Sequence, residues 1–152
     1  MIFHRDFAYT PSSSESESAS HSYVMSVMAI IAGMPLPIVN LLATLFFYIG
    51  KRKSTDFVRW HCTQALLVQV FLFFVNAVMV IWVLSILFGD AAFSNSFIAY
   101  LIVAALINLC ELIMTIYSAV YVNRGRHLEW WLFGEWTHHL CKTEVHETET
   151  AS

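Results

Sequence analysis

Among the polar residues within the long apolar segments of this chain, four are the first candidates for chemistry because of their types and depth. They are Asn40, Asn76, Asn108 and Glu111. Glu111 is the one charged residue within those segments, and an ionisable group at membrane depth often marks an ion or proton pathway. Counted along antiparallel helices, all four lie within about two turns of one level near the bilayer midplane. The sequence therefore predicts that they converge.

Two interpretations of this polar cluster are open. In the first, the amides and the carboxyl group join the helices through hydrogen bonds, each contributing roughly 0.6 to 2 kcal/mol. In the second, Glu111 is a proton or cation site in a small pathway. A catalytic acid–base pair with His61 is disfavoured, because His61 lies roughly 20 Å along the helix axis from the level of Glu111.

No motif of a familiar enzyme class is present. The sequence has no P-loop, no G-x-S-x-G turn, no H-E-x-x-H helix and no dinucleotide-binding fingerprint. His138, His139, Cys141 and His146 are metal-ligand types, but their spacing matches no strong zinc pattern. The net charge of −3 carries no nucleic-acid signal. We therefore predict that the protein is not an enzyme and has no cofactor, no metal site and no nucleic-acid partner.

Three apolar segments must position the polar residues. They are Val24–Ile49, Ala65–Phe88 and Phe97–Val122, and each exceeds the roughly 20 residues that cross a bilayer. Only 12% of the residues are charged, against about 25% in soluble domains, so too few polar residues remain to cover three such helices in water. Pro35 and Pro37 predict a kink in the first segment. The expected fold is all-α, an integral membrane protein with three transmembrane helices.

The flanking segments have a different composition. Residues 1–22 are polar and Ser-rich, which predicts a disordered tail. The membrane domain is expected over residues 23–140, and residues 141–152 form a second disordered tail. Residues 127–140 are too short and too polar to span the membrane. They carry four large aromatic side chains, Trp130, Trp131, Phe133 and Trp136. We predict a short C-terminal helix that lies at the membrane interface, anchored by these rings.

The distribution of basic residues predicts the topology. Seven of the eight Lys and Arg residues fall on one expected side: Lys51, Arg52, Lys53, Arg59, Arg124, Arg126 and Lys142. Cytoplasmic loops of membrane proteins carry an excess of such residues. Only Arg5 precedes the first apolar segment. Three spans then place the N-terminus outside and the C-terminus in the cytoplasm, in the inner (plasma) membrane of the cell.

A juxtamembrane motif joins the first two apolar segments. It reads Phe57-Val58-Arg59-Trp60-His61, followed by Gln64-Ala65. Arg59 can attract lipid phosphates, a contribution of about 1 kcal/mol. His61 and Gln64 are expected to face inward and to join the first two helices. The alternative is that the motif forms a contact site for a partner or a substrate segment.

Together with Pro37-Ile-Val-Asn-Leu-Leu and Tyr117-Ser-Ala-Val, this motif resembles a widespread bacterial family of small multi-pass membrane proteins of unknown function. The resemblance covers roughly residues 22–136. That family is similar to the small channel-like subunit of the protein-import translocon of the chloroplast inner envelope. The resemblance implies a multi-pass helical fold without an assigned activity and, through the plastid subunit, a four-helix translocation component.

These observations lead to one expected function and one alternative. We expect a non-enzymatic membrane interaction or accessory protein. Its partners are the lipid bilayer and either another membrane protein or further copies of itself. The alternative is a small oligomeric transport or protein-translocation component that uses the polar cluster around Glu111.

Overall fold

The computed structural model describes residues 2–5, 7–32, 37–89 and 92–141. Its elements follow the order β1 (Ile2–Arg5), α1 (Ser13–Ala32), α2 (Pro37–Lys51), α3 (Asp56–Phe88), α4 (Asn95–Asn123), β2 (His127–Trp130) and α5 (Gly134–Cys141). The predicted all-α class is confirmed for these residues, with one small two-stranded sheet added. Pro35 lies outside the described residues, as do residues 142–152 of the predicted tail over 141–152, whereas Cys141 is the last residue of α5.

Two helices, α3 with 33 residues and α4 with 29, are long and apolar enough to cross a membrane. Thr55 precedes α3, and the Ser94 side chain caps α4 by accepting the N–H of Phe97 at 3.2 Å. All buried residues of α3 lie between Phe57 and Leu72, whereas residues 73–88 are at least partly exposed. One end of α3 is therefore packed inside the protein, and the other presents apolar side chains outward.

The predicted first span is two helices rather than one. Pro37 opens α2, a position where its missing N–H costs no helical hydrogen bond. The Ser26 and Thr44 hydroxyls lie 3.4 Å apart, and Lys51 Nζ donates to Ser18 Oγ at 3.4 Å. These contacts pair the start of α1 with the end of α2, so the two helices form an antiparallel hairpin. The chain returns to the end of the bundle from which it came.

The segment that was predicted to be disordered forms much of α1. Its start is a capping box: Ser12 Oγ accepts the N–H of Glu15 at 3.3 Å, and the Glu15 carboxylate accepts the N–H of Ser12 at 2.7 Å. That backbone hydrogen bond is the largest of the contacts that lower the pKa of Glu15 to about 2, and the Thr55 and Ser12 side chains add to it. Ser16 and Ser20 are buried, and Ser20 donates to the carbonyl of Ala119 at 2.8 Å. Small serine side chains let α1 approach α4 closely, and this packing replaces the expected disorder.

The two ends of the described chain lie together. β1 pairs antiparallel with β2, with Ile2 opposite Trp130 and Arg5 opposite His127. The prediction that the N-terminus and C-terminus lie on opposite sides is therefore wrong, because the hairpin of α1 and α2 adds a reversal that a three-span count lacks. The predicted C-terminal helix is also different, since residues 127–130 form a strand and the helix begins only at Gly134.

The hydrophobic core is concentrated where these elements meet. Tyr23, Phe57, Val122 and Leu128 are buried members of one cluster contributed by α1, α3, α4 and β2. The sheet and the start and end of the hairpin both pack at this end of the bundle. We call it the basic end after its Lys and Arg side chains. The basic residues that the structure describes there are Lys51, Arg52, Lys53, Arg59, Arg124 and Arg126.

This arrangement predicts which positions share a side of the membrane. In a variant with its three native cysteines replaced by alanine, we expect Ser14→Cys and Lys53→Cys to react with an impermeant maleimide from the same side. Ser96→Cys, at the far end of the bundle, should react only from the other side. All three positions are exposed. Labelling of Ser14→Cys and Ser96→Cys from one side would contradict the hairpin.

Candidate functional site

The structure resolves the predicted polar cluster into separate contacts. Asn76 and Asn108 form a reciprocal pair, each amide nitrogen donating to the other's oxygen at 3.0 and 2.9 Å. Asn108 also donates to the carbonyl of Ala104 at 2.8 Å. Both side chains are half-buried. This pair joins α3 to α4.

Glu111 belongs to a second group about one turn away on α4. Its Oε1 accepts from Gln69 Nε2 at 3.0 Å and from Thr115 Oγ1 at 2.8 Å. The residue is 6% exposed, and its Oε2 is buried with no hydrogen-bond partner in the described part of the chain. The cleft beside it, lined in part by Tyr23 and Ser26, has no room for a water molecule. Glu111 is therefore held by neighbouring side chains in a closed site.

Asn40 lies on α2 and takes no part in either group. Among the described residues, its side chain has no hydrogen bond to Asn76, Asn108 or Glu111, and its Oδ1 is buried without a partner. The depth count places Asn40 at their level, but it assumes one continuous, kinked span from residue 24 to residue 49 that crosses the membrane. The hairpin changes that level, because α2 packs on α1 and α3 as a returning arm.

The juxtamembrane residues are joined by a hydrogen-bond network at the basic end. Gln64 is fully buried, and its Oε1 accepts the backbone N–H of Trp130 at 3.2 Å. Because an N–H can only donate, this contact fixes the orientation of the amide, with Nε2 on the opposite side. Nε2 donates to the Tyr23 hydroxyl at 2.9 Å. One side chain thus links α1, α3 and β2.

This orientation determines the direction of the rest of the network. With the Gln64 bond accepted, the Tyr23 hydroxyl donates its own hydrogen to His61 Nδ1 at 3.0 Å. His61 then carries its proton on Nε2 and donates to His127 Nδ1 at 3.3 Å. His127 in turn donates from Nε2 to Glu129 Oε1 at 3.1 Å. The hydrogen-bond donors are aligned toward Glu129.

Glu129 is the acceptor at the end of this network. It is 4% exposed, and its Oε1 also accepts from His138 Nε2 at 2.9 Å. Burial alone would raise the pKa of Glu129, but the hydrogen bonds that it accepts from His127 and His138 outweigh burial, and the pKa is lowered. An ionised carboxylate therefore ties β2 to α5.

Arg59 binds at the surface of this junction rather than in it. Its Nη2 donates to Asp56 Oδ1 at 2.8 Å and to the carbonyl of Cys141 at 3.3 Å. The three juxtamembrane residues therefore divide, since His61 and Gln64 are buried in the network and Arg59 holds the end of α5. His61 and Gln64 join the first helix to α3 through Tyr23.

Several residues of the network were not identified from the sequence as site residues. They are Tyr23, His127 and Glu129. His127 and Glu129 alternate along a strand, which projects both side chains to one side, but a four-residue strand is too short a signal to recognise. Within the part of the chain that the structure describes, no three His, Cys, Asp or Glu residues are grouped to hold a metal ion. His146 lies outside the described residues.

Removal of the Gln64 amide should destabilise the protein. Gln64→Leu leaves the Trp130 N–H without its acceptor, and we expect the free energy of unfolding to fall by about 2 kcal/mol. Thermal melts in detergent, followed by circular dichroism, measure the change. Tyr23→Phe removes only a hydroxyl and should cost about half as much, while Asn123→Ala at an exposed position should cost nothing. An unchanged melt for Gln64→Leu would contradict the network.

The lowered pKa of Glu129 predicts a pH dependence. The unfolded chain titrates this group near its ordinary value of 4.5, so its stabilising contribution is present above pH 4.5 and is lost as the pH falls through the lower, folded value. Glu129→Gln should therefore cost about 2 kcal/mol at pH 7, and the difference from wild type should shrink below pH 4.5. Melts across this range are the measurement, with Glu135→Gln, an exposed carboxylate on α5, as control. A constant difference would be inconsistent with an ionised Glu129.

Comparison with known proteins places this architecture in a family. The profile of the magnetosome magnetite crystal formation protein family matches residues 19–136 of the 152-residue chain. No curated protein and no solved structure matches. The expected similarity to the chloroplast import subunit is not shown by any comparison, whereas the expected small bacterial membrane protein agrees with this family. The matched residues include most of α1, all of α2, α3, α4 and β2, and the contacts of Gln64 with Tyr23 and Trp130, and the chain belongs to the magnetosome magnetite crystal formation protein family.

Proposed function

We propose that the chain is a non-enzymatic accessory protein of magnetite crystal formation, held in a magnetosome-associated membrane. Two observations support the membrane placement: its family, and two helices long and apolar enough to cross a bilayer. The accessory role is supported by how its polar groups are used. It acts through contacts with partners or with further copies of itself, and we assign it no reaction.

The observation that carries this proposal is the closed packing around Glu111. Oε1 of Glu111 accepts both of its hydrogen bonds from side chains of α3 and α4, and the adjoining cleft has no room for water. Conduction of ions or protons needs a continuous wet or polar path. The Asn76 and Asn108 side chains are likewise bonded to each other across the two helices. Both groups fit hydrogen bonds that join helices better than a pathway.

The burial of α3 supports a definite position in the bilayer. Crossing requires about 20 residues, and the outward-facing apolar part of α3 begins near Phe73 and ends at Phe88. A span from about Gln69 to Phe88 has this length. It places the contact between Gln69 and Glu111 at the edge of the hydrocarbon and the asparagine pair deeper inside. In this placement α3 and α4 cross the membrane, and the hairpin of α1 and α2 enters without crossing.

The same placement orients the protein. The described Lys and Arg side chains belong to the basic end, and an excess of these residues faces the cytoplasm. We therefore assign the basic end, with both β-strands and α5, to the cytoplasmic side of the membrane. The connection between α3 and α4 then faces the opposite compartment.

An aromatic surface at the basic end fits the interface between lipid and water. Its exposed side chains are Trp131, Leu132, Trp136 and Leu140. Phe133 contacts Phe71 with ring centroids 5.9 Å apart, so this surface continues the outward face of α3. Tryptophan is enriched at this depth of a membrane. The surface supports the role of the segment over residues 131–140 as an interfacial anchor.

A transport component built around Glu111 remains the second candidate. The observation that favours it is Glu111 Oε2, which is buried with no partner among the described residues. A carboxyl group near lipid with an unused oxygen is a feature of many ion and proton sites. The chain would have to form an oligomer to enclose a path, since three or four helices surround little space.

A comparison of flux and crystal formation separates the two candidates. In liposomes with a trapped pH dye, we expect no proton flux above empty vesicles for either wild type or Glu111→Gln. In a magnetite-forming host that lacks the native copy, Glu111→Gln should restore crystals of wild-type size, because the amide keeps an oxygen for Gln69 and Thr115. Electron microscopy gives the crystal sizes.

An exposed carboxylate supplies the matched control, and two results would contradict the accessory role. Glu135→Gln removes an exposed carboxylate and should match wild type in both assays. Flux through the wild-type protein that Glu111→Gln abolishes would instead establish the transport function. Full crystal formation without this chain would exclude the accessory role.

A further inference from the structure

A cavity at the basic end lies between the N-terminal segment and the end of α4. Its volume is about 700 Å³, within the range of small-molecule sites. Phe7, Tyr9 and Tyr121 supply aromatic walls, and His4 and Arg126 supply polar groups. None of the described lining residues is a carboxylate. The cavity is therefore both aromatic and cationic in its described lining.

The turn after α4 positions the cation of this cavity. Gly125 adopts a φ of 76°. The N–H of Gly125 donates to the carbonyl of Val122 at 2.9 Å, and the N–H of Arg126 donates to the carbonyl of Tyr121 at 3.2 Å. These two bonds form a Schellman motif, which turns the chain back over the last helical turn. The Arg126 guanidinium then lies 5.8 Å from the centre of the Tyr121 ring. A cation held on an aromatic face loses less freedom when it binds a ligand.

The other polar groups of the cavity are held by their neighbours. His4 lies edge-on to Tyr121, with ring centroids 5.6 Å apart, and contacts the Tyr117 hydroxyl through Nε2 at 3.3 Å. Tyr9 donates its hydroxyl to Glu15 at 2.9 Å, which fixes the wall on the far side. Arg126 is exposed and, unlike Arg59, has no carboxylate partner among the described residues. Its charge is available to a ligand.

We propose that this cavity binds the phosphate group of an organic phosphate, with Arg126 as its principal anion contact. A guanidinium donates two parallel hydrogen bonds to phosphate oxygens. The aromatic walls suit the organic part of such a ligand, and the volume exceeds what a bare phosphate needs. The source of the phosphate is either a phospholipid headgroup or a free organophosphate on the same side. The lipid source rests on the proposed membrane placement, whereas the free source does not.

Binding to the purified full chain in detergent tests this site. The probes are dihexanoyl phosphatidylglycerol as a lipid headgroup and glycerol 1-phosphate as a free organophosphate, with binding measured by calorimetry. Arg126→Gln should weaken the binding of whichever probe is recognised by about tenfold, the loss of one charged pair. Ala8→Trp, which fills the cavity while keeping its charge, should weaken binding similarly.

Arg124→Gln is the matched control. The Arg124 guanidinium lies at the same 5.8 Å from the Tyr121 ring, but the residue does not line the cavity. It should change affinity less than twofold. Binding of the lipid alone identifies a headgroup site, and binding of glycerol 1-phosphate identifies a free ligand. Binding of neither probe, equal losses in Arg124→Gln and Arg126→Gln, or full affinity in Ala8→Trp would each overturn the proposal.

Discussion

The orientation of the Gln64 amide is the constraint on which the basic end depends. Its oxygen accepts from the backbone of β2 and its nitrogen donates to α1, while Gln64 itself lies on α3. A fully buried amide has no water to replace a lost partner, so each of these contacts is costly to break. The strand, the hairpin and the long helix must therefore keep their positions together. Glu129 extends the same constraint to α5 through His138.

The sequence predicted the parts of the fold that depend on continuous apolar composition. The segments around α3 and α4 were identified as long apolar helices. The hairpin was missed because its two arms are both apolar and read as one span of ordinary length. The burial of Ser16 and Ser20 was missed because a serine-rich segment has the composition of a disordered tail. Ser12 and Glu15 gave the readable signal of a helix start there, a serine followed three residues later by a glutamate.

The candidate site was predictable only in part, for a related reason. Hydropathy treats the first and second halves of α3 alike, although Leu72 is buried in the protein and Phe74 faces outward. The pairing of Asn76 with Asn108 follows from two antiparallel helices of known register. Asn40 does not join this pair, because its helix has a different register. Glu129 bonds to His127 and His138, which are two and nine residues away, because residues 127–130 form a strand and the chain then turns so that α5 lies beside it. Periodicity within a single segment carries no information about such a contact.

The hairpin of α1 and α2 has a consequence for the shape of the molecule within a bilayer. Its apolar arms, residues 23–32 and 38–49, measure about 15 and 18 Å at 1.5 Å per residue, roughly half of a hydrocarbon core of about 30 Å. In the proposed orientation it occupies the cytoplasmic leaflet alone, beside two helices that cross both leaflets. The cross-section of the protein is then larger in one leaflet than in the other. Such a wedge favours a curved membrane over a flat one, with the broad side on the convex surface.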